Sequence, residues 1–473
     1  MKHKNRIIFI GLLIFANSLF AENVPIERAR QIAKNAYYEK VSEFVDINYE
    51  NIIFSDEISI SYKSLPMYYV FNLNQSNGYI IISAEDHVVP VLAYSYEGSY
   101  NSDNLAPGFI EWMETYSKQI YYVIQHKTPS TTEIEEAWDY YLAKTTNTNL
   151  SNSKNVGPLA TTTWDQSEYY NSACPVSSAG PGGHVLTGCV ATCMAQLLRY
   201  HKYPKVGSSS SSYNAGSYGN LSANYGSTTY KYSNMPEQLS SENADVALLM
   251  FHCGVSVEMN YSPYGSGASS SDAATALMTY FNYSTSTFYA MKSDYSELKW
   301  KILIRADIIN KRPLMYRGTG SGGHSFLCDG FQYPDHFHFN WGWGGSANGY
   351  FYLSSLNPSG GNFTYDQGAI CNAIPSSSSS SPAGIDESEF SKSINLFPNP
   401  TDGIFNLEID NNSYENISLT IIDLTGRNLK KIELNKTNNY FSEEINVSDL
   451  KAGYYLISIE TKDNIAIKRF IKN

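Results

Sequence analysis

The sequence predicts an α+β fold, closed at its C-terminal end by a small all-β sandwich, and three observations carry that prediction. Residues 22–156 mix helical periodicity with strand-like alternation. In residues 157–375 the helical runs come first and the strand-like runs later, and this block holds all six cysteines. Residues 394–473 alternate polar and apolar almost throughout, behind a serine-rich stretch.

At 473 residues the chain is long enough for several domains, each with its own core. A formal charge of −12, with no long Lys/Arg run past the first six residues, makes nucleic acid a poor partner. The 39 tyrosines, with many Ser, Asn and Gly, suggest an extracellular protein. MKHKNR followed by IIFIGLLIFANSLF reads as a secretory signal peptide over 1–21, cut after Ala21. No later stretch reaches 18 consecutive apolar residues, so a soluble chain is expected after export.

In the first block, PIERARQIAKNAYYEK has helical spacing. MYYVFNLN and GYIIISAED read as strands joined at Gln75–Gly78, where Asn-Gly is the turn signal. VVPVLAYS is a third apolar run, PGFIEWMETYSKQIYYVIQHK returns to helical period, and EIEEAWDYYLAK is a further helical patch. TTNTNLSNSKNVGP is a polar linker and a natural site for cutting. In the central block helices are expected at about 189–201, in ADVALLMFHCGVSVEM and in SSSDAATALMTYF, the last capped by Ser271 or Asp272. PLMYRG, HSFLCDGFQ, HFHFNWG and GYFYLSSL read as strands. Residues 376–393 read as a flexible tether. In residues 394–473, GIFNLEID, ISLTIIDLTG, YYLISIE and IAIKRFI are the sandwich strands.

The chemistry centres on HVLTGCVATCMAQLLRYHKYP. Gly188 lets the backbone turn sharply into a helix that begins at Cys189. A cysteine there sits in the positive end of the helix dipole, which favours thiolate, and its own N–H has no intrahelical partner and is free to bind an oxyanion. A metal is a poor fit, because His201 lies eight residues beyond Cys193 and no compact ligand pair accompanies it. A Cys189–Cys193 disulfide within one helix is geometrically awkward, and Cys193 reads as a buried thiol. Among nine histidines, His324 stands out: it follows the Gly-rich stretch GTGSGG and heads an apolar strand. Sixteen residues on, Asn340 opens NWGWGG and is placed to orient His324, with a tryptophan to shield the bond.

Together, TGCVATCMAQLLRYHKYP, GGHSFLCDGF and HFNWGWGGSANGYFYLSSLNPSG resemble the streptopain family of papain-like cysteine peptidases (peptidase family C10), over roughly residues 157–375. The resemblance implies a papain-like two-subdomain fold, with Cys189 as nucleophile, His324 as general base and acid, and Asn340 as orienter. It implies that Trp341 or Trp343 covers that pair, that Gln166 of TTTWDQSEYYN completes the oxyanion hole, and that Gly323 and Ser325 line the substrate cleft. No metal or organic cofactor is implied. Residues 22–156 resemble the family's propeptide, an intramolecular inhibitor. LFPNPTDGIFNLEI, IIDLTGRNLKK and LKAGYYLISIETKDNIAIKRFIK resemble the C-terminal sorting domain of type IX secretion substrates. The expected order is therefore signal peptide (1–21), propeptide (22–156), peptidase (157–375), linker (376–393) and sorting domain (394–473). The expected partners are protein or peptide substrates and the secretion machinery, and the expected location is outside the cell or on its outer surface. The alternative is a catalytically degenerate adhesin or binding protein on the same fold.

Overall fold

The computed structural model describes residues 23–74, 78–143, 155–318, 323–333, 335–357, 359, 366–376, 389–410, 415–423, 428–451, 453–461 and 465–473. The signal peptide, the Asn-Gly turn, the Gly-rich stretch before Gly323 and most of both linkers therefore lie outside the described residues.

The helices are α1 (Ile26–Val41), α2 (Pro107–His126), α3 (Thr132–Ala143), α4 (Cys189–His201), α5 (Ala244–Ser256), α6 (Ser270–Tyr280), α7 (Glu297–Ile309) and α8 (Glu389–Lys392). The N-terminal strands are β1 (Phe54–Tyr62), β2 (Leu65–Leu73), β3 (Tyr79–Ser83) and β4 (Val91–Ser95). The central block adds β5 (Ser210–Asn214), β6 (Asn220–Asn224), β7 (Phe288–Met291), β8 (Leu314–Gly318), β9 (His324–Gln332), β10 (His336–Asn340), β11 (Gly349–Tyr352) and β12 (Gly368–Cys371). The C-terminal strands are β13 (Ile394–Phe397), β14 (Ile404–Asp410), β15 (Glu415–Asp423), β16 (Asn428–Lys436), β17 (Tyr440–Asn446), β18 (Gly453–Glu460) and β19 (Ile465–Lys472). The cap of α6 falls on Ser269, ahead of the expected Ser271 or Asp272, and its hydroxyl makes no capping bond to the helix.

Ten strands form one sheet in the order β1-β2-β3-β4-β11-β10-β9-β8-β12-β7. The N-terminal strands join the central ones through β4 and β11, where Tyr94 faces Tyr350 and Ala93 faces Phe351 in an antiparallel pair. The helix α2 lies across this sheet, and Phe109, Trp112, Tyr116 and Ile120 share a core with Phe326, Phe339, Trp341 and Phe351. A second core packs α4, α5 and α6 together through Leu197, Leu198, Leu249, Met250 and Leu277. The central block thus has a helical half and a sheet half, and α4 bridges them by packing on β9. Residues 394–473 form a sandwich of a three-stranded sheet, β13-β14-β17, and a four-stranded sheet, β16-β15-β18-β19. Its core is made by the inward alternation of Phe405, Leu407, Ile409 with Ile417, Leu419, Ile421. All six cysteines are free thiols, five of them buried. Among the described residues no helix is long and apolar enough to cross a membrane.

Candidate active site

Cys189 is the first residue of α4 because Gly188 adopts φ +90°, ψ 143°. Only glycine fits there: a Cβ on residue 188 would meet Met259 Sδ at 2.7 Å and the Ser266 carbonyl oxygen at 3.0 Å. No side chain caps the helix at Gly188, so its first N–H groups stay available at the sulfur. The thiol is partly exposed, whereas Cys193, one turn on, is 1% exposed and sealed in the helical core. Burial pushes the Cys189 thiol above its ordinary pKa, and the backbone N–H groups of Ser325 and Val190 act in the opposite direction.

The Ser325 contact brings the start of β9 to the nucleophile, so the fold places Cys189 and His324 in one neighbourhood although they are 135 positions apart. His324 Nε2 lies 3.6 Å from Glu111 Oε1 of α2. Burial holds His324 below its ordinary pKa, against the opposing pull of the Glu111 charge. The contact of α2 is close: a Cβ on Gly108 would come within 3.2 Å of both His324 Cβ and Trp341 Cε3.

Asn340 ends β10 and is 2% exposed. Its Nδ2 donates to the Thr162 carbonyl at 2.6 Å and to Gln196 Oε1 at 3.2 Å, and its Oδ1 accepts from the Gly342 N–H at 3.1 Å. It makes no hydrogen bond to His324 in this conformation. Trp341 is buried against Phe326, with ring centroids 4.4 Å apart, and donates its indole N–H to the Ala347 carbonyl. Trp343 is half-buried and reaches Asn104 of the N-terminal block. Gln166 is buried, and its carbonyl accepts from the Thr187 N–H at 3.0 Å, which ties its loop to the residues just before Cys189.

Ser325 meets the site through its main chain. It is 3% exposed, and its hydroxyl pairs with Ser270 of α6 at 2.7 Å, so only its backbone faces the sulfur. Gly323 has φ +64°, and a Cβ there would lie 3.1 Å from the Arg317 guanidinium. One His and carboxylate group among the described residues has metal-ligand spacing, Glu85–Asp86–His87. It belongs to the N-terminal block, where His87 Nδ1 contacts the Thr128 carbonyl and Asp86 pairs with Arg28.

Sequence reasoning missed Glu111 and Gln196. Nothing in PGFIEWMETY marks Glu111, since its role arises only when α2 docks. Gln196 carried a usable signal: it follows Cys189 by seven residues, two turns along the same helical face.

Three segments of the chain match known protein families. Residues 164–351 match the Peptidase C10 family, residues 21–120 the Spi protease inhibitor and residues 395–473 the secretion system C-terminal sorting domain. The chain is 28% identical over 393 residues to the thiol protease/hemagglutinin PrtT of Porphyromonas gingivalis, spanning 78% of this chain but 44% of that protein. It is 28% identical over 382 residues to streptopain of Streptococcus pyogenes, spanning 75% of this chain and 91% of streptopain. The solved structure of a Prevotella intermedia prointerpain A fragment is similar with a TM-score of 0.55 and 32% identity, covering 67% of this chain and 97% of the fragment.

Proposed function

The chain belongs to the peptidase C10 family and is a cysteine-type endopeptidase; from that premise we propose that it is made as a zymogen whose N-terminal propeptide holds the catalytic imidazole away from the nucleophile until it is cut off. The observation that carries this reading is that His324 pairs with Glu111 of α2, whose charge also reaches Cys189, while the sulfur is met by the backbone N–H groups of Ser325 and Val190. Cys189 is the nucleophile, His324 the general base and acid, and Asn340 the group that orients it. The Cys189 N–H and the Gln166 side chain form the oxyanion hole, and Gly323, Ser325 through its backbone, Trp341 and Trp343 border the substrate.

When α2 leaves, the burial that disfavours the imidazolium is relieved, and His324 takes the proton of Cys189. The thiolate attacks the peptide carbonyl carbon, and the C=O electron pair moves onto oxygen, held by the oxyanion donors. Collapse expels the amine, which takes its proton from the imidazolium. Water then attacks the thioester, giving a proton to His324, and collapse releases the acid and the Cys189 thiolate, which restores the ion pair. Activity falls in acid as the thiolate is protonated and in alkali as the imidazolium is lost.

The propeptide cut lies within 150–160, at the end of the polar linker, where the chain is pinned to β9: Val156 and Phe331 exchange both backbone bonds at 2.7 and 2.8 Å, and the Leu159 N–H donates to the Asp329 carbonyl at 2.9 Å. Residues 157–375 act as the peptidase, and 376–393 tether it to a type IX sorting domain over 394–473. With a signal peptide at 1–21, export runs through the inner and then the outer membrane by way of the type IX machinery, so the substrates are extracellular proteins or peptides. A fluorogenic peptide assay on wild type and Cys189→Ala, with N-terminal sequencing of the secreted product, tests the whole reading. Activity that survives the substitution overturns the role of Cys189, and a mature start well before 140 overturns the maturation boundary.

A further inference from the structure

We propose that Gln196 is a positioning residue for the peptidase reaction: it clamps the Asn340 amide in the one orientation that can steer the catalytic imidazole. This rests on the reading of Asn340 as the partner of His324.

Gln196 lies in α4 and is 0% exposed. Its amide pairs head to tail with that of Asn340: Oε1 accepts from Asn340 Nδ2 at 3.2 Å, and Nε2 donates to Asn340 Oδ1 at 3.4 Å. Oε1 also accepts from Thr162 Oγ1 at 2.9 Å and from the Trp164 N–H at 3.4 Å. Removing a buried primary amide from water is unfavourable unless its bonds are made, so four such contacts mark a specified site rather than space filling.

The consequence for Asn340 is directional. Both of its Nδ2 protons are committed, one to the Thr162 carbonyl and one to Gln196. Its Oδ1 holds one good bond, from the Gly342 N–H at 3.1 Å, and the long 3.4 Å contact from Gln196. An arriving imidazole N–H displaces that long contact and finds an acceptor already aimed. A flipped Asn340 would meet the imidazole N–H with its own NH₂ group, donor against donor. It would also turn its oxygen towards the Thr162 carbonyl and Gln196 Oε1, acceptor against acceptor. The same helix therefore places the sulfur at its first residue and, two turns on, the anchor of the imidazole's partner.

The test uses the full-length chain carrying Gln196→Leu, Gln196→Glu or Asn340→Ala. Each variant is processed by wild-type enzyme on a removable affinity tag, then freed of it. Gln196→Leu is expected to lower kcat roughly 10- to 100-fold, the scale of losing a supporting hydrogen bond behind a functional group. KM should stay within about 2-fold, and the alkaline limb of kcat/KM should move to lower pH, because the imidazolium loses its oriented acceptor. Gln196→Glu keeps the acceptor for Asn340 Nδ2, so it should recover most of kcat and move the alkaline limb upward. A folded Gln196→Leu with unchanged kcat and pH profile, beside a damaged Asn340→Ala, overturns the inference about Gln196 alone. An undamaged Asn340→Ala overturns instead the underlying role of Asn340. If Gln196→Leu does not fold, Gln196→Glu decides, and an alkaline limb that stays in place overturns the proposal.

Discussion

Trp112 offers the sharpest test of how the propeptide is held. Its side chain is 5% exposed and meets five rings: Tyr116 of its own helix, and Tyr316, Phe326, Phe339 and Trp341 of the peptidase, with centroids 5.0–6.4 Å apart. Four of those five partners lie across the junction, so truncation falls mainly on docking rather than on the propeptide's own fold. Trp→Ala at a buried site costs about 3–5 kcal/mol. If three quarters of that belongs to docking, roughly 2–4 kcal/mol is lost, which raises the open population by about 30- to 1,000-fold. Iodoacetamide labelling of Cys189 in the unprocessed chain reads that population, because the other five thiols are buried and the closed form raises the Cys189 pKa by burial. Trp112→Ala should speed labelling by that factor without changing the labelling rate of the mature enzyme. A folded variant whose unprocessed chain labels within about 2-fold of wild type refutes the reasoning, whichever way Cys189 is oriented.

Glu111→Gln should loosen the closed form only in acid. His324 has a lowered pKa when closed, so closure is favoured above its free value and weakened as pH falls below about 6.5, where the open form takes up a proton. Glu111 softens that loss by attracting the imidazolium, so the ratio of variant to wild-type labelling should be near 1 at pH 8 and rise roughly 5- to 30-fold by pH 5. Glu85 is 2% exposed and its pKa is raised to about 7 by burial, so its carboxyl stabilises the propeptide below about pH 4.5 and that contribution is lost as pH rises through 7. Glu85→Gln, measured by urea denaturation in a Cys189→Ala background, should therefore gain roughly 3 kcal/mol at pH 8 and little at pH 4. Gly188→Ala combines a positive φ with a Cβ against the Ser266 carbonyl, and should cost about 1–3 kcal/mol and at least about 100-fold in kcat by displacing the sulfur. A Gly188→Ala enzyme with full activity refutes that account of the helix start.

Much of the catalytic half was legible because its signals are local. Gly188-Cys189 sets a turn and a helix start, and the stretch to Pro204 has an uninterrupted helical period, so α4 follows from the residues themselves. The strands beginning at His324 and His336 read directly from their apolar runs. What stayed hidden depends on pairing between distant segments. Strand β1 carries the polar run FSDEISISY and is recognisable only beside β2. Helix α7 has apolar residues all round its KILIRADII face and no clear stripe, because it packs on β9, β12 and β8 at once. The merging of two blocks into one sheet through four residues of β4 and β11 leaves no mark in either stretch. Asn340 was picked out as an orienter from NWGWGG, but its present commitment to Thr162 and Gln196 required three separate segments to meet.

The shared sheet also bears on what the mature enzyme must live with. On the proposed maturation, departure of β1 to β4 would strip one side of Gly349–Tyr352, baring main-chain donors and acceptors along an uncharged Gly-Tyr-Phe-Tyr margin. Such a margin is a template for any stray extended segment, including the same margin on another molecule. A crowded compartment is the worst place to expose it. Were the chain kept sheathed until it had left the cell, the moment of greatest stickiness would be separated from the place of highest concentration.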